Sequence, residues 1–142
     1  MLLVFDWDGT LADSTAKIVR CMQLAAERCS EAILSDDAVR DIIGLGLPEA
    51  IDALYPDRPA AIREQIRQQY VHFFIEEDQT PTALFPGVAD GLIRLRDDGH
   101  VLAVATGKSR RGLDRVLDNT GLSHLFAATR CADETISKPH PQ

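Results

Sequence analysis

Residues 2 to 14 read Leu2-Leu3-Val4-Phe5-Asp6-Trp7-Asp8-Gly9-Thr10-Leu11-Ala12-Asp13-Ser14. An apolar run ends abruptly in two aspartates spaced i, i+2, and Gly9 and Thr10 then turn the chain. Alternate residues of an extended segment point the same way, so Asp6 and Asp8 can face one pocket. Four apolar residues without polar alternation read as a buried parallel strand. Open α/β sheets bind ligands at the carboxyl ends of their strands. One carboxylate there can attack an electrophile while a second moves protons. The same residues also suit a simple turn that ends a strand, because Asp and Gly are common turn formers. The rest of the chain decides between the two.

Beyond Asp13 the pattern becomes helical. Ser14 is placed to cap a helix that carries Ile18, Met22, Ala25 and Cys29 on one face. Ser35 is placed to cap a short helix with Val39, Ile42 and Ile43, which Gly44-Leu45-Gly46 interrupts. Pro48 suits the first turn of a third helix with Ile51 and Leu54 inward. Pro59 opens a fourth, with Ile62, Ile66, Tyr70 and Phe73 at helical spacing. Residues 13 to about 80 thus form a helical unit whose apolar stripes are its core. The α/β pattern resumes at Leu84. A helix over 88–98 with Val88, Leu92 and Leu95 inward comes first, then a strand over 101–105. A helix over 109–120, stopped by Gly121, leads to a weaker strand over 127–130. This order predicts a parallel sheet with right-handed crossovers. The fold class is α/β: a Rossmann-like parallel sheet formed by residues 1–12 and 83–142, with the helical unit 13–82 inserted.

Composition narrows the function. A chain of 142 residues holds one domain, or a small core with a small insert. Hydrophobic residues at 45% and charged residues at 26% describe a soluble globular protein. No apolar run approaches membrane-spanning length, and the N-terminus lacks the basic flank and cleavage-like site of a secretory signal. A cytoplasmic location is expected. The net charge of −7 argues against nucleic acid or an anionic membrane as partner but leaves a phosphorylated substrate open. Cys21, Cys29 and Cys131 have no metal-like spacing. Cys21 and Cys29 lie about 12 Å apart along one predicted helix, too far for a disulfide. Reduced thiols are expected. His72, His100, His124 and His140 form no triad or metal pattern.

Three motifs occur in order: Asp6-Trp7-Asp8-Gly9-Thr10-Leu11, then Ala105-Thr106-Gly107-Lys108, then Lys138-Pro139-His140-Pro141. Together they resemble the haloacid dehalogenase-like hydrolases, and among them the small phosphatases typified by phosphoglycolate phosphatase. The resemblance runs the length of the chain. It implies that Asp6 is the nucleophile, forming an aspartyl-phosphate, and that Asp8 is the general acid and later the base. It implies Mg²⁺, held by the Asp6 carboxylate and the Asp8 backbone carbonyl, a choice that suits carboxylate and phosphate oxygens. It places Lys138 against the nucleophile and phosphate. It also makes the helical insert a cap that closes over the sheet on hinges near Asp13-Ser14 and Thr80–Thr82.

Other residues keep two readings. Thr106 and Gly107 offer a hydroxyl and a close backbone N–H beside a helix N-terminus, which makes an anion site, or they form a plain strand-to-helix turn. Lys108 either approaches the phosphate or, like Arg110, is a solvated charge. Leu45, between Gly44 and Gly46, either presents a substrate-facing loop or ends a helix. Gly9 joins the expected substrate-binding set with Thr106, Gly107, Lys108 and Leu45.

The resemblance also implies a further helix and a strand bearing a Gly-Asp motif, whose acidic group completes the metal site. No Gly-Asp dipeptide occurs in this sequence. The expectation is therefore a chain truncated before that motif. Its first strand then has an exposed apolar edge prone to self-association, and its activity is impaired. The leading function is Mg²⁺-dependent hydrolysis of a small phosphomonoester such as 2-phosphoglycolate. A sugar-phosphate mutase, a pyrophosphatase of the same superfamily and a non-catalytic remnant acting as a binding module are the alternatives.

Overall fold

The computed structural model describes residues 1–78 and 82–134. They form two compact units. One comprises Met1–Asp13, Gly44–Gly46 and the chain from Ala83 onward; the other comprises Ser14–Ile43 and Leu47–Thr82.

The first unit is built on a parallel sheet. Strands β1 (Leu2–Phe5), β2 (Val101–Ala105) and β3 (Phe126–Arg130) pair in that order. Leu3 lies opposite Leu102 and Phe5 opposite Val104. β2 and β3 pair with one irregularity between Leu102 and Ala103. Helices α5 (Val88–Asp97) and α6 (Arg110–Thr120) connect the strands, and the four helices that precede them belong to the second unit. Leu3, Phe5, Leu102 and Val104 pack in one core with Leu92 of α5 and Leu113 and Leu117 of α6. Residues of one strand parity therefore meet both helices. The other parity is covered only in part: Leu2 and Val4 remain 61% and 58% exposed and Val101 49%, whereas Ala103 is buried. β1 is thus parallel, as its apolar run predicts, but buried on one face only among the described residues.

The second unit is helical throughout: α1 (Thr15–Arg28), α2 (Asp36–Arg40), α3 (Leu47–Leu54) and α4 (Ala60–His72). Its core joins Ile18, Met22 and Ala25 of α1 to Val39, Ile51, Tyr55, Ile66 and Phe73; all but Tyr55 lie on the stripes legible at helical spacing. The Tyr55 hydroxyl donates to the Ala32 carbonyl at 2.7 Å, which satisfies its one polar atom inside this core. Local chemistry departs from expectation at three places. Ser14 stands at the N-cap of α1, but its backbone is near-helical and its hydroxyl makes no capping bond. Ser35 does cap α2, accepting from the Ala38 N–H at 3.2 Å, yet α2 stops at Arg40 and leaves Ile42 and Ile43 in the turn beyond. α4 runs on into a π-helical turn, Phe73–Glu77, that periodicity does not reveal. The cysteines are unpaired by disulfides, with Cys21 and Cys131 buried and Cys29 half-buried. Burial pushes the Cys21 and Cys131 thiols up to about 11, so neither is a thiolate at neutral pH.

Candidate active site

Asp6 follows the last residue of β1 and Thr106 the last residue of β2. Because β1 and β2 are adjacent and parallel, with Phe5 opposite Val104, both residues emerge at the carboxyl end of the sheet. The first motif is held there by a tight curl. Trp7 is 1% exposed and lies in the sheet core, so the two flanking aspartates are turned the other way. The N–H groups of Thr10, Leu11 and Ala12 all point at the Trp7 carbonyl, at 3.2, 2.9 and 3.0 Å. Gly9 takes φ +77, a conformation that a side chain disfavours, and donates to the Ala12 carbonyl at 2.9 Å. The Asp6 carboxylate is fixed in turn: Oδ1 accepts the Trp7 N–H at 2.7 Å.

The second motif meets the first. The Lys108 ammonium lies 3.3 Å from Asp8 Oδ2, and both side chains are largely shielded from solvent. Lys108 is therefore part of this site rather than a solvated charge. Thr106 is buried, and its N–H donates to the Arg130 carbonyl at 3.0 Å. Its Oγ1 accepts the Lys108 N–H at 3.1 Å, while the Lys108 carbonyl accepts the Ala132 N–H at 2.9 Å. The Ser109 hydroxyl caps α6 by accepting from Gly112 N–H at 3.1 Å. The Thr106 hydroxyl and the Gly107 backbone thus lie beside the start of α6, the end of a helix whose dipole favours negative charge. The Gly44–Leu45–Gly46 segment also belongs here. It groups with the α/β unit, and Gly44 approaches Asp6 Oδ2 closely enough that a Cβ on it would sit 3.4 Å away.

Arg110 is a framework residue. Its guanidinium donates to Thr129 Oγ1 at 2.7 Å, the Thr129 carbonyl at 3.1 Å, Asp114 at 3.2 Å and Glu134 at 2.6 Å. Its backbone N–H donates to Asp133 at 3.0 Å. Arg110 thus ties the start of α6 to the end of β3, under the Thr106 turn. The bond to Glu134 holds the Glu134 carboxyl below its ordinary value and raises the guanidinium further. Lys138 and His140 lie outside the described residues.

The model of the haloacid dehalogenase-like hydrolase family matches residues 3–142. The chain belongs to that family. Among curated relatives of these hydrolases, it is 35% identical over 146 residues to "Probable phosphatase IndB" of Dickeya dadantii, with 99% of this chain and 63% of that protein covered. It is 29% identical over 133 residues to a phosphoglycolate phosphatase of Vibrio cholerae, with 89% and 59% covered. The chain therefore spans about three-fifths of the length of these relatives. The crystal structure of a "Putative haloacid dehalogenase-like hydrolase" from Bacteroides fragilis superposes with TM-score 0.87 at 29% identity, covering 99% of this chain and 67% of that one. A phosphoglycolate phosphatase-like crystal structure from Haemophilus somnus gives TM-score 0.85 at 23% identity, covering 99% and 66%, and is evidence of shared fold.

The donor set of this site can be set against a divalent cation. No group of three or more His, Cys, Asp or Glu placed to hold a metal occurs among the described residues. The Asp6 carboxylate and the Asp8 carbonyl are hard oxygen donors. Mg²⁺ commonly takes only one or two carboxylates from the protein and fills its remaining positions with water and substrate phosphate. Two oxygen donors fit that habit, and hard oxygen ligands suit Mg²⁺ better than a softer metal.

Proposed function

We propose that the protein is a Mg²⁺-dependent phosphomonoester hydrolase that acts on a small phosphorylated metabolite, of the phosphoglycolate kind, through an aspartyl-phosphate on Asp6. The observation that carries this reading is the convergence of Asp6, Asp8, Thr106 and Lys108 at the carboxyl ends of two adjacent strands. The phosphatase names of the curated relatives support the reaction class, and the acidic net charge agrees with a small-molecule substrate rather than a polyanion.

In the first half-reaction an Asp6 carboxylate oxygen attacks phosphorus. The bond to the ester oxygen breaks, and Asp8 delivers a proton to the departing alcohol. In the second, Asp8 takes a proton from water, which attacks the same phosphorus. Inorganic phosphate leaves and the Asp6 carboxylate is restored. Negative charge on the transferring oxygens is met by the Thr106 hydroxyl, the Gly107 N–H and Lys108. Lys108 moves from Asp8 to the phosphoryl oxygens as they arrive. Mg²⁺, held by the Asp6 carboxylate and the Asp8 backbone carbonyl, would supply further neutralisation of that charge. Lys138 is the second lysine in this scheme, and Gly9 and Leu45 border the bound phosphate.

A panel of phosphorylated metabolites assayed with the full-length gene product tests the reading. Release of inorganic phosphate from small monoesters is expected, abolished in Asp6→Asn. Preferential cleavage of pyrophosphate, or phosphate migration within a hexose phosphate without release, would move the protein to another branch of its family.

A further inference from the structure

Gly107 is a glycine whose backbone gives no reason for it. Its φ lies outside the left-handed region, so any residue could adopt its conformation. What excludes a side chain is the space above it. A Cβ there would collide with the Leu45 carbonyl oxygen. It would also lie 2.7 Å from both the Gly44 carbonyl oxygen and the Leu45 carbonyl carbon. All three obstacles are main-chain atoms, so no rotamer change relieves the overlap.

The floor beneath this contact is fixed. On one side the Thr106 N–H is bonded to Arg130; on the other, Lys108 is held through both its N–H and its carbonyl. The roof is the short strap Gly44–Leu45–Gly46, and a Cβ built on its first residue would sit 3.4 Å from Asp6 Oδ2. One strap therefore lies close over the second motif through its Gly44 and Leu45 carbonyls and comes near the first at Gly44. Gly44 itself takes φ +109, a conformation that favours glycine, so the strap can make this bend only with glycine at its start.

We propose that Gly107 is a positioning residue. Its bare backbone is the seat for the Leu45 carbonyl, and that seat holds the Gly44–Gly46 strap down over Asp6, where it encloses the phosphoryl group. The enclosure rests on the reading of Asp6 as the residue that meets phosphate; the seat does not. A methyl group at position 107 must lift the strap, because the floor is bonded on both sides. Raising the strap exposes its amides and removes one wall of the anion site.

The test is hydrogen exchange over residues 44–46, with inorganic phosphate as the binding probe. In Gly107→Ala, exchange in the strap is expected to accelerate about tenfold while α1 and β2 keep their protection, and phosphate affinity is expected to fall several-fold. Gly44→Ala strains the strap from the other side and should shift both readouts in the same direction. The double variant should be no worse than the more affected single one, because both act on one seat. Unchanged exchange in Gly107→Ala, or additive losses in the double variant, would overturn the proposal. If Gly107→Ala does not fold, Gly44→Ala carries the test, and wild-type exchange and phosphate affinity in that variant would overturn it. Altered exchange in a protein that hydrolyses no phosphomonoester would contradict the functional reading and leave the seat standing. Turnover with unaltered exchange would contradict the seat alone.

Discussion

At the scale of single residues, the two aspartates of the first motif have different surroundings and should fail differently. Asp6 is oriented by the Trp7 N–H, whereas Asp8 faces the Lys108 ammonium. Asp6→Asn keeps the shape but removes the attacking charge, and phosphomonoester turnover should drop by several orders of magnitude. Asp8→Asn removes proton transfer, worth about 10²–10⁴-fold in rate. Lys108→Met should act mainly on KM, because the ammonium meets ground-state phosphate as well as the transition state. Steady-state kinetics separate these outcomes, and a Lys108→Met enzyme with unchanged KM and phosphate affinity would remove Lys108 from the site. The aspartates and Thr106 were legible because their spacing sits at strand ends. The closeness of Lys108 to Asp8, the reach of Arg110 into β3 and the approach of Gly44 to Asp6 were not. Each joins residues far apart in sequence, and no local pattern encodes that distance.

At the scale of elements, the helix caps and the α6–β3 tie can be examined by stability. Ser35→Ala removes the one side-chain cap of α2 and should cost about 0.5–2 kcal/mol in denaturant unfolding. Ser14→Ala removes no capping bond, so a loss there does not report an α1 cap. The Arg110–Glu134 bond predicts a pH dependence. The Glu134 carboxyl is depressed in the folded state, chiefly by its hydrogen bond to Arg110. Its contribution is therefore complete above the ordinary Glu value and fades as pH falls through the lower folded value. The stability gap between wild type and Glu134→Gln should be present at neutral pH and close in acid; a gap that widens in acid would contradict this account. Helices with a strong apolar stripe, such as α1, were readable directly. The π-helical turn after α4 was not, because Phe73 and Phe74 satisfy a helical stripe whichever hydrogen-bond spacing the backbone adopts. Nor was the early end of α2, where Ile42 and Ile43 continue the apolar pattern without continuing the helix.

At the scale of the whole molecule, the sheet has one covered face and, along β1, one largely exposed one among the described residues. Leu2, Val4 and Val101 stand on the exposed face, beside the backbone of β1 at the sheet edge. Exposed apolar strands of this kind associate. Light scattering of the 142-residue chain should detect dimers or larger species, and Leu2→Lys with Val4→Lys should return it to monomer. The donor set makes a second prediction for the same chain. With two protein oxygen donors at the site among the described residues, Mg²⁺ alone should bind weakly and phosphate should strengthen it, as calorimetric titration with and without phosphate would show. The central claim, that Asp6 carries the phosphoryl group, is tested most directly by chemical trapping. An acyl phosphate is reduced by borohydride to an alcohol, which turns aspartate into homoserine. Full-length gene product quenched with borohydride during turnover should yield homoserine at position 6 by peptide mass spectrometry. Continued phosphate release with Asp6 unmodified, or homoserine at Asp8 instead, would contradict the account.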